Sequence, residues 1–316
     1  DTYDFSYVFK NISHYIQNSD ISIGNLETSF AGKDRGYSNY PTFNSPDALA
    51  YNLKNIGLDI ISTAGNHCLD MGFSGLSRTI DVLDDAGIKH LGTYKTQEEQ
   101  DKILIQDVKG VKIAFIDYTY GTNGIPVPSD KPFSVNLIDK DLITKHINKA
   151  KSEGVDMIVA CMHWGTEYSL QPDSMQKKWT KIFAESGADL VLGTHPHVIE
   201  PIEWVEDETT GHQMLVYYSL GNFVNWTSSS GDGIANRMVG GMAEITVGLD
   251  EAGRGFIVDY GVNVLVTQVE LGHNGVTTYF LKDYTDEMAG KNAIMEQDAN
   301  FSREYCTKLC TDIWGD

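Results

Sequence analysis

A chain of 316 residues with 41% apolar and 22% charged side chains has the composition of an ordinary soluble globular protein, large enough for one sizeable α/β domain or two small ones. No run approaches about 18 consecutive apolar residues, so nothing in it reads as a membrane-spanning helix, and no signal peptide is visible at the opening DTYDFSYVFK. The formal charge is −20, and residues 201–316 alone carry 18 acidic against 6 basic side chains. Such a surface repels nucleic acid and anionic lipid; an anionic substrate therefore calls for something local that inverts the field, and a metal ion does this most directly.

Phe5, Val8, Phe9, Ile12 and Ile16 recur at helical spacing, which predicts an amphipathic helix over residues 5–18. Residues 20–23 read as a short strand ending at Gly24, and the Gly-, Ser-, Asn- and Tyr-rich stretch 31–45 as a loop. Pro46 and Asp47 open a helix over 46–56, LDIIST (58–63) is a buried strand, and a helix runs from about Ser74 to Gly87 with Leu76, Ile80 and Leu83 on one face. VKIAFID (111–117), VDMIVAC (155–161), ADLVLG (188–193) and MLVYYS (214–219) are strands. Helices are expected at 138–152 and 173–186, the second with Met175, Trp179, Ile182 and Phe183 inward. Apolar strands alternating with helices predict a largely parallel sheet built from βαβ units. Beyond residue 240 the pattern becomes strands at 242–249, 256–260, 262–271 and 276–281, joined by tight turns. With no repeat, low-complexity tract or linker, a single domain over 1–316 is expected, in which 240–316 complete a second sheet and add a C-terminal helix.

Four segments place polar residues directly after buried strands: GNLET (24–28), AGNHCLD (64–70), MHWG (162–165) and GTHPH (193–197). Loops beyond the carboxyl ends of strands in an α/β sheet converge on one crevice, which brings Glu27, Asn66, His67, His163, His195 and His197 together. Imidazole with carboxylate suits Zn, Mn or Fe. His195 and His197 are two apart and point to one side of an extended chain, stiffened by Pro196. Asn66 offers a neutral carbonyl oxygen. His67, beside it, must point elsewhere if Asn66 holds metal, which frees it for proton transfer or for holding an oxyanion. Asp70 either caps the following helix or orients His67. One histidine after one strand is ordinarily a hydrogen-bonded core residue; polar groups after four successive strands make a site. Glu167, Glu200, Glu203, His90 and His146 read as surface or local contacts, and Trp164, Tyr217 and Tyr218 as core or pocket wall. Cys68, Cys161, Cys306 and Cys310 match neither a C-x-x-C redox motif nor a zinc knuckle and read as free buried thiols, although Cys306 and Cys310 would share a helix face and could pair in an oxidising compartment.

G-N-H after one strand, a histidine closing an apolar run, and G-x-H-x-H after another strand resemble the calcineurin-like metallophosphoesterases. The fuller wording, IGNLET, AGNHCLDMGFSGL, MHWGTEYSLQPDSMQ, GADLVLGTHPHVIEPIEW and YYSLGNFV, resembles the CapA (poly-γ-glutamate capsule synthesis) family over about residues 1–250. The resemblance implies a four-layer α/β/β/α sandwich. It implies that Glu27 stands where the family has a bridging aspartate, that Asn66, His163 and His195 hold the second metal, that His197 holds the first, and that His67 is the proton donor beside Asp70. The family's usual first strand, whose Gly-Asp motif supplies a ligand to the first metal, precedes the opening helix and is lacking in this sequence. At most one tightly held ion is therefore expected, of one or two, its identity being Mn, Zn or Fe. The resemblance further implies a metal-dependent hydrolase of a phosphoester or of a polyglutamate amide at the extracellular face of a bacterial membrane. The alternative is a catalytically silent scaffold that binds the polymer. The expected partners are an anionic substrate or polyglutamate and the membrane subunits of a capsule synthase, with no nucleic acid. Membrane contact is expected only through an N-terminal anchor absent from the sequence.

Overall fold

The computed structural model describes residues 3–315. Two short helices, Ser6–Phe9 (α1) and Ser13–Asn18 (α2), precede strand Ile23–Asn25 (β1). Helix Ala48–Asn55 (α3) leads to Ile60–Ser62 (β2), and Gly72–Asp85 (α4) to Lys89–Leu91 (β3). After Gln97–Gln100 (α5) come the hairpin Leu104–Val108 (β4) and Val111–Thr119 (β5), then Lys140–Ser152 (α6), Met157–His163 (β6), Ser174–Ser186 (α7), Leu190–Thr194 (β7), Ile202–Asp207 (β8) and His212–Tyr217 (β9). The remainder is Val239–Leu249 (β10), Gly255–Val269 (β11), Val276–Phe280 (β12), Asp286–Ala289 (α8) and Arg303–Trp314 (α9).

These strands form a six-stranded sheet in the order β4-β5-β6-β7-β9-β8 and two three-stranded sheets, β1-β2-β3 and β10-β11-β12. The inner four strands of the large sheet are parallel and its edges antiparallel; β1-β2-β3 is parallel and β10-β11-β12 antiparallel. Period-two alternation along β5 builds the layers. Ala114, Ile116 and Tyr118 face Ile143, Ile147 and Phe183 of α6 and α7. Ile113 and Phe115 face the other way, onto Ile60 and Leu91 and the partly buried Ile245 and Val262 of the small sheets. Phe9, Ile12, Ile16, Leu53 and Leu83 then cover the far side of the small sheets against Ile61, Leu265 and Phe280. The result is a four-layer α/β/β/α sandwich. Each fully buried Ile, Leu or Phe contributes about 1.5–3 kcal/mol, a reserve against which local strain at the site can be held.

Several elements differ from the sequence reading. The helix expected at 5–18 is broken near Asn11, whose amide donates to the Thr278 carbonyl of β12 at 3.0 Å; Phe9, Ile12 and Ile16 still point inward. Helix α7 buries Gln176, Thr180, Phe183 and Ala184, while Met175 is exposed. Its capping box with Asp173 turns Gln176 inward, where its amide donates to Glu200 at 2.6 Å. The two strands expected at 256–260 and 262–271 are one strand, because Gly261 stays in the ladder opposite Glu244 and its carbonyl accepts the Tyr217 hydroxyl at 2.9 Å. Strands β10 to β12 form a sheet of their own. Glu200 and His146, read as surface or local contacts, are buried within local contacts. Cys161, Cys306 and Cys310 are buried free thiols and Cys68 a half-buried one.

Candidate metal centre

Glu27 lies two residues beyond β1, Asn66 and His67 lie just beyond β2, His163 ends β6, and His195 and His197 follow β7. Packing the sheets face to face brings these carboxyl-terminal ends together. Gly193 makes the last approach possible: a Cβ there would stand 1.9 Å from the Tyr218 carbonyl. Four non-glycine residues at the centre adopt left-handed backbone, Asn123 (φ 49°), Tyr168 (φ 67°), His195 (φ 101°) and His197 (φ 60°). Such conformations cost on the order of 1–3 kcal/mol each and cluster where function holds them.

The side chains converge on one carboxylate oxygen. Glu27 Oε1 is buried, has no hydrogen-bond partner among the described residues, and lies 3.6 Å from His163 Nε2 and 3.6 Å from His197 Nε2. His195 Nδ1 is likewise buried and unpartnered, as is Asn25 Oδ1 at the end of β1. Glu27, His163 and His195 offer ligand atoms within 4.8 Å of one another, and so do Glu167, His195 and His197. Two donors each about 2.0–2.2 Å from a tetrahedral ion stand roughly 3.4 Å apart, so a separation of 3.6 Å suits ligands around a shared cation and is too long for a hydrogen bond. The residues present therefore fit a divalent ion.

A second ring of groups sets the orientation of these ligands. Asn66 gives its amide nitrogen to Asn123 Oδ1 at 3.1 Å, which turns Asn66 Oδ1 toward His163 Nε2, 2.9 Å away. Asn222 donates to the carbonyls of His197 and Arg237, both at 2.9 Å, so its Oδ1 accepts from His197 Nδ1 at 2.9 Å. That leaves His197 Nε2 with its lone pair facing Glu27. Fixing one ring nitrogen to free the other is how metal-binding histidines are usually held. Beneath them, Asp117 accepts from the N–H groups of Thr63 and Ala64 at 3.0 and 2.9 Å, pinning the loop that carries Asn66 and His67.

The electrostatics match. Burial pushes Glu27 up to about 7, with Glu167 and Asp70 adding to the rise and His197 opposing it. Burial, reinforced by neighbouring histidines, holds His163 well below the ordinary imidazole range and brings His195 down to about 4. Burial thus favours the uncharged forms of His163 and His195 beside Glu27. His67 is turned away from this group: its Nδ1 is 2.8 Å from Asp70 Oδ2, which also accepts the Phe43 N–H at 2.7 Å. No side chain caps α4, so Asp70 takes the orienting place and not the capping one.

The structure brings together Glu27, Asn66, His67, Asp70, His163, His195 and His197. Sequence reasoning passed over Glu167, Asn123 and Asn222. All three lie in loops after strands, β6, β5 and β9; the rule that singled out the other ligands reaches Asn123 and Asn222, whereas Glu167 comes to the histidines only because the Tyr168 N–H ties its loop to the Pro196 carbonyl. It likewise missed Tyr120 and Tyr168, whose rings pack on His195 (4.6 Å between centroids) and His197 (6.0 Å), and Arg237, stacked 3.6 Å over Tyr168.

Fold and site define the chain as an α/β/β/α sandwich domain with a candidate metal centre of imidazole, carboxylate and amide groups at the carboxyl ends of its strands. Within that class, the chain belongs to the family described as bacterial capsule synthesis protein PGA_cap, whose family model matches residues 1–227. It is 30% identical over 238 residues to the capsule biosynthesis protein CapA of Bacillus anthracis, covering 71% of this chain and 56% of that protein. It is also 30% identical over 231 residues to the PGA biosynthesis protein CapA of Bacillus subtilis (strain 168), covering 70% and 58%. The chain thus spans little more than half the length of these relatives. Among solved structures it is similar to a 5′-nucleotidase precursor from Thermus thermophilus, 18% identical, with 69% of this chain and 40% of that chain covered and a TM-score of 0.45.

Proposed function

We propose that this domain is a metal-dependent hydrolase that acts on an anionic phosphoester during poly-γ-glutamate capsule production, at the outer face of a bacterial membrane and alongside the membrane subunits of a capsule synthase. The observation that carries this reading is Glu27 Oε1, buried, unpartnered and equidistant from two histidine nitrogens. Glu27, Asn66, His163, His195 and His197 would hold divalent metal. A bound ion of this kind polarises a phosphoryl oxygen and makes hydroxide available near neutral pH.

The rest is the work of the chain's own residues. Asp70 accepts from His67 Nδ1–H, and His67 Nε2 accepts from the Asn123 amide at 3.3 Å; after taking up a proton and exchanging that contact for substrate, Nε2 would pass the proton to the departing oxygen. Phe43 packs edge-on to the His67 ring at 4.5 Å and limits its rotation. Arg237 on Tyr168 offers positive charge beside the centre of a strongly acidic protein, suited to the anionic end of a substrate. Names of relatives point to capsule production, and the site chemistry points to the phosphoester.

The test is metal-free protein reconstituted with Mn²⁺, Zn²⁺ or Fe²⁺ and offered an aryl phosphomonoester, an aryl phosphodiester and poly-γ-glutamate. Metal-dependent release of the aryl alcohol supports the reading. Cleavage of the polymer alone would move the activity to amide hydrolysis, and failure to bind any of the three metals would overturn the reading altogether.

A further inference from the structure

Resting on the metal centre just described, we propose that Glu167 supplies a carboxylate ligand to the cation position at His197, with His195 beside it and Glu27 between this position and that of His163 and Asn66. Nothing in the sequence marks Glu167 as more than an exposed residue of the loop after β6. The fold gives it a fixed address. Tyr168, adjacent to it, adopts left-handed backbone and donates its N–H to the Pro196 carbonyl at 2.7 Å, tying the Glu167 loop to the His195–His197 loop. The Thr166 hydroxyl donates to Asp173 at 2.8 Å and anchors the other side. The Glu167 carboxylate then lies with the ligand atoms of His195 and His197 inside a 4.8 Å group.

Three further observations point to a cation there. His195 is only 5% exposed, yet its Nδ1 has no partner among the described residues. His197 Nδ1 is engaged by Asn222, so its Nε2 is free to ligate, and Glu27 Oε1 stands 3.6 Å from that atom as it does from His163 Nε2. Among the described residues neither Glu27 nor Glu167 is ion-paired with Lys or Arg. Two carboxylates gathered on the same histidines without such a partner repel one another unless a cation lies between them. Because Glu167 is exposed, its position is the more open of the two and should exchange its ion faster and hold it less tightly.

The test uses Co²⁺ as a spectroscopic probe on the full metal-free chain, reading visible absorption during titration and bound metal after equilibrium dialysis. The parent should take up a first equivalent tightly and a second more weakly. Glu167→Gln should leave the first event unchanged and weaken the second by about tenfold or more, and Glu167→Asp should recover part of it. An equal melting temperature for parent and variant without metal controls for folding. A parent that takes up only one equivalent, or a Glu167→Gln variant that takes up two with unchanged affinities, would overturn the proposal and leave the first position standing. A parent that binds none would overturn both.

Discussion

Glu27, half-buried with its Oε1 sealed from solvent, and Asp117, wholly buried, are both pushed up to about 7 by burial, and they are held in different ways. Asp117, between the sheets, uses one oxygen to accept two backbone N–H groups from the loop at 63–64. Glu27, at the strand ends, accepts no hydrogen bond among the described residues and faces histidine nitrogens instead. Leaving a buried polar atom unmet costs on the order of 1–3 kcal/mol. Asp117 Oδ2 meets that cost with two amides while its Oδ1, like Glu27 Oε1, is unmet among the described residues; what sets Glu27 apart is that its unmet oxygen faces two histidine nitrogens. One carboxylate is thus part of the fold and the other part of a binding site, and substitutions should separate them.

The largest separation should come from His67, which lies beside the ligands without joining their cluster. His67→Ala should retain metal in equilibrium dialysis and lose hydrolysis by about 100- to 10,000-fold. Parallel loss of both would make His67 a ligand. Next is Asp117→Ala, which orphans the Ala64 amide and frees the loop bearing Asn66. It should destabilise the chain by about 2 kcal/mol in chemical denaturation, with or without metal; an unchanged midpoint would remove the supporting role given to Asp117. Asp70→Asn should lower kcat by about 10- to 100-fold and leave metal affinity within error, because it acts through the orientation of His67. A kcat equal to that of the parent would show that His67 needs no orienting partner.

The smallest effect concerns Glu200, buried with only Gln176, among the described residues, donating to its carboxylate and pushed up to about 7 by burial. Its folded value lies above its ordinary one, so the folded state holds the proton more firmly, and stability from this group falls as pH rises through about 7. Glu200→Gln lacks that dependence. The melting temperature of the variant relative to the parent should therefore climb between about pH 5 and pH 8, by the equivalent of ~1 kcal/mol. A constant difference would mean that Glu200 does not titrate in this range.

How much of this was legible in the sequence follows from where each residue sits. β2, β5, β6, β7 and β9 are buried, and their apolar runs announce them. β4 and β8 are sheet edges with charged and polar residues, and β3 is three residues long, so none of them shows a pattern. The β4–β5 turn at Lys109–Gly110, both left-handed, was a readable hairpin signal that the apolar scan skipped. The ligands were legible because each follows its own strand. Glu167 was not, because only the bond from Tyr168 N–H to the Pro196 carbonyl brings its loop to the histidines. Asp117 reads as one more strand residue until the facing sheet delivers its two amides.

The central claim is that Glu27 is left unsatisfied for a cation. The most direct measurement is the metal-induced shift in melting temperature of the parent and of Glu27→Gln, each first stripped of metal. A ligand at 100 times its Kd stabilises a folded protein by about 2.7 kcal/mol. The parent should therefore melt several degrees higher with saturating Mn²⁺ or Zn²⁺. Glu27→Gln should melt at least as high as the stripped parent without metal and show no shift when metal is added. A variant that keeps the full metal-induced shift would contradict the account, because Glu27 would then be a buried carboxylate of the fold like Asp117.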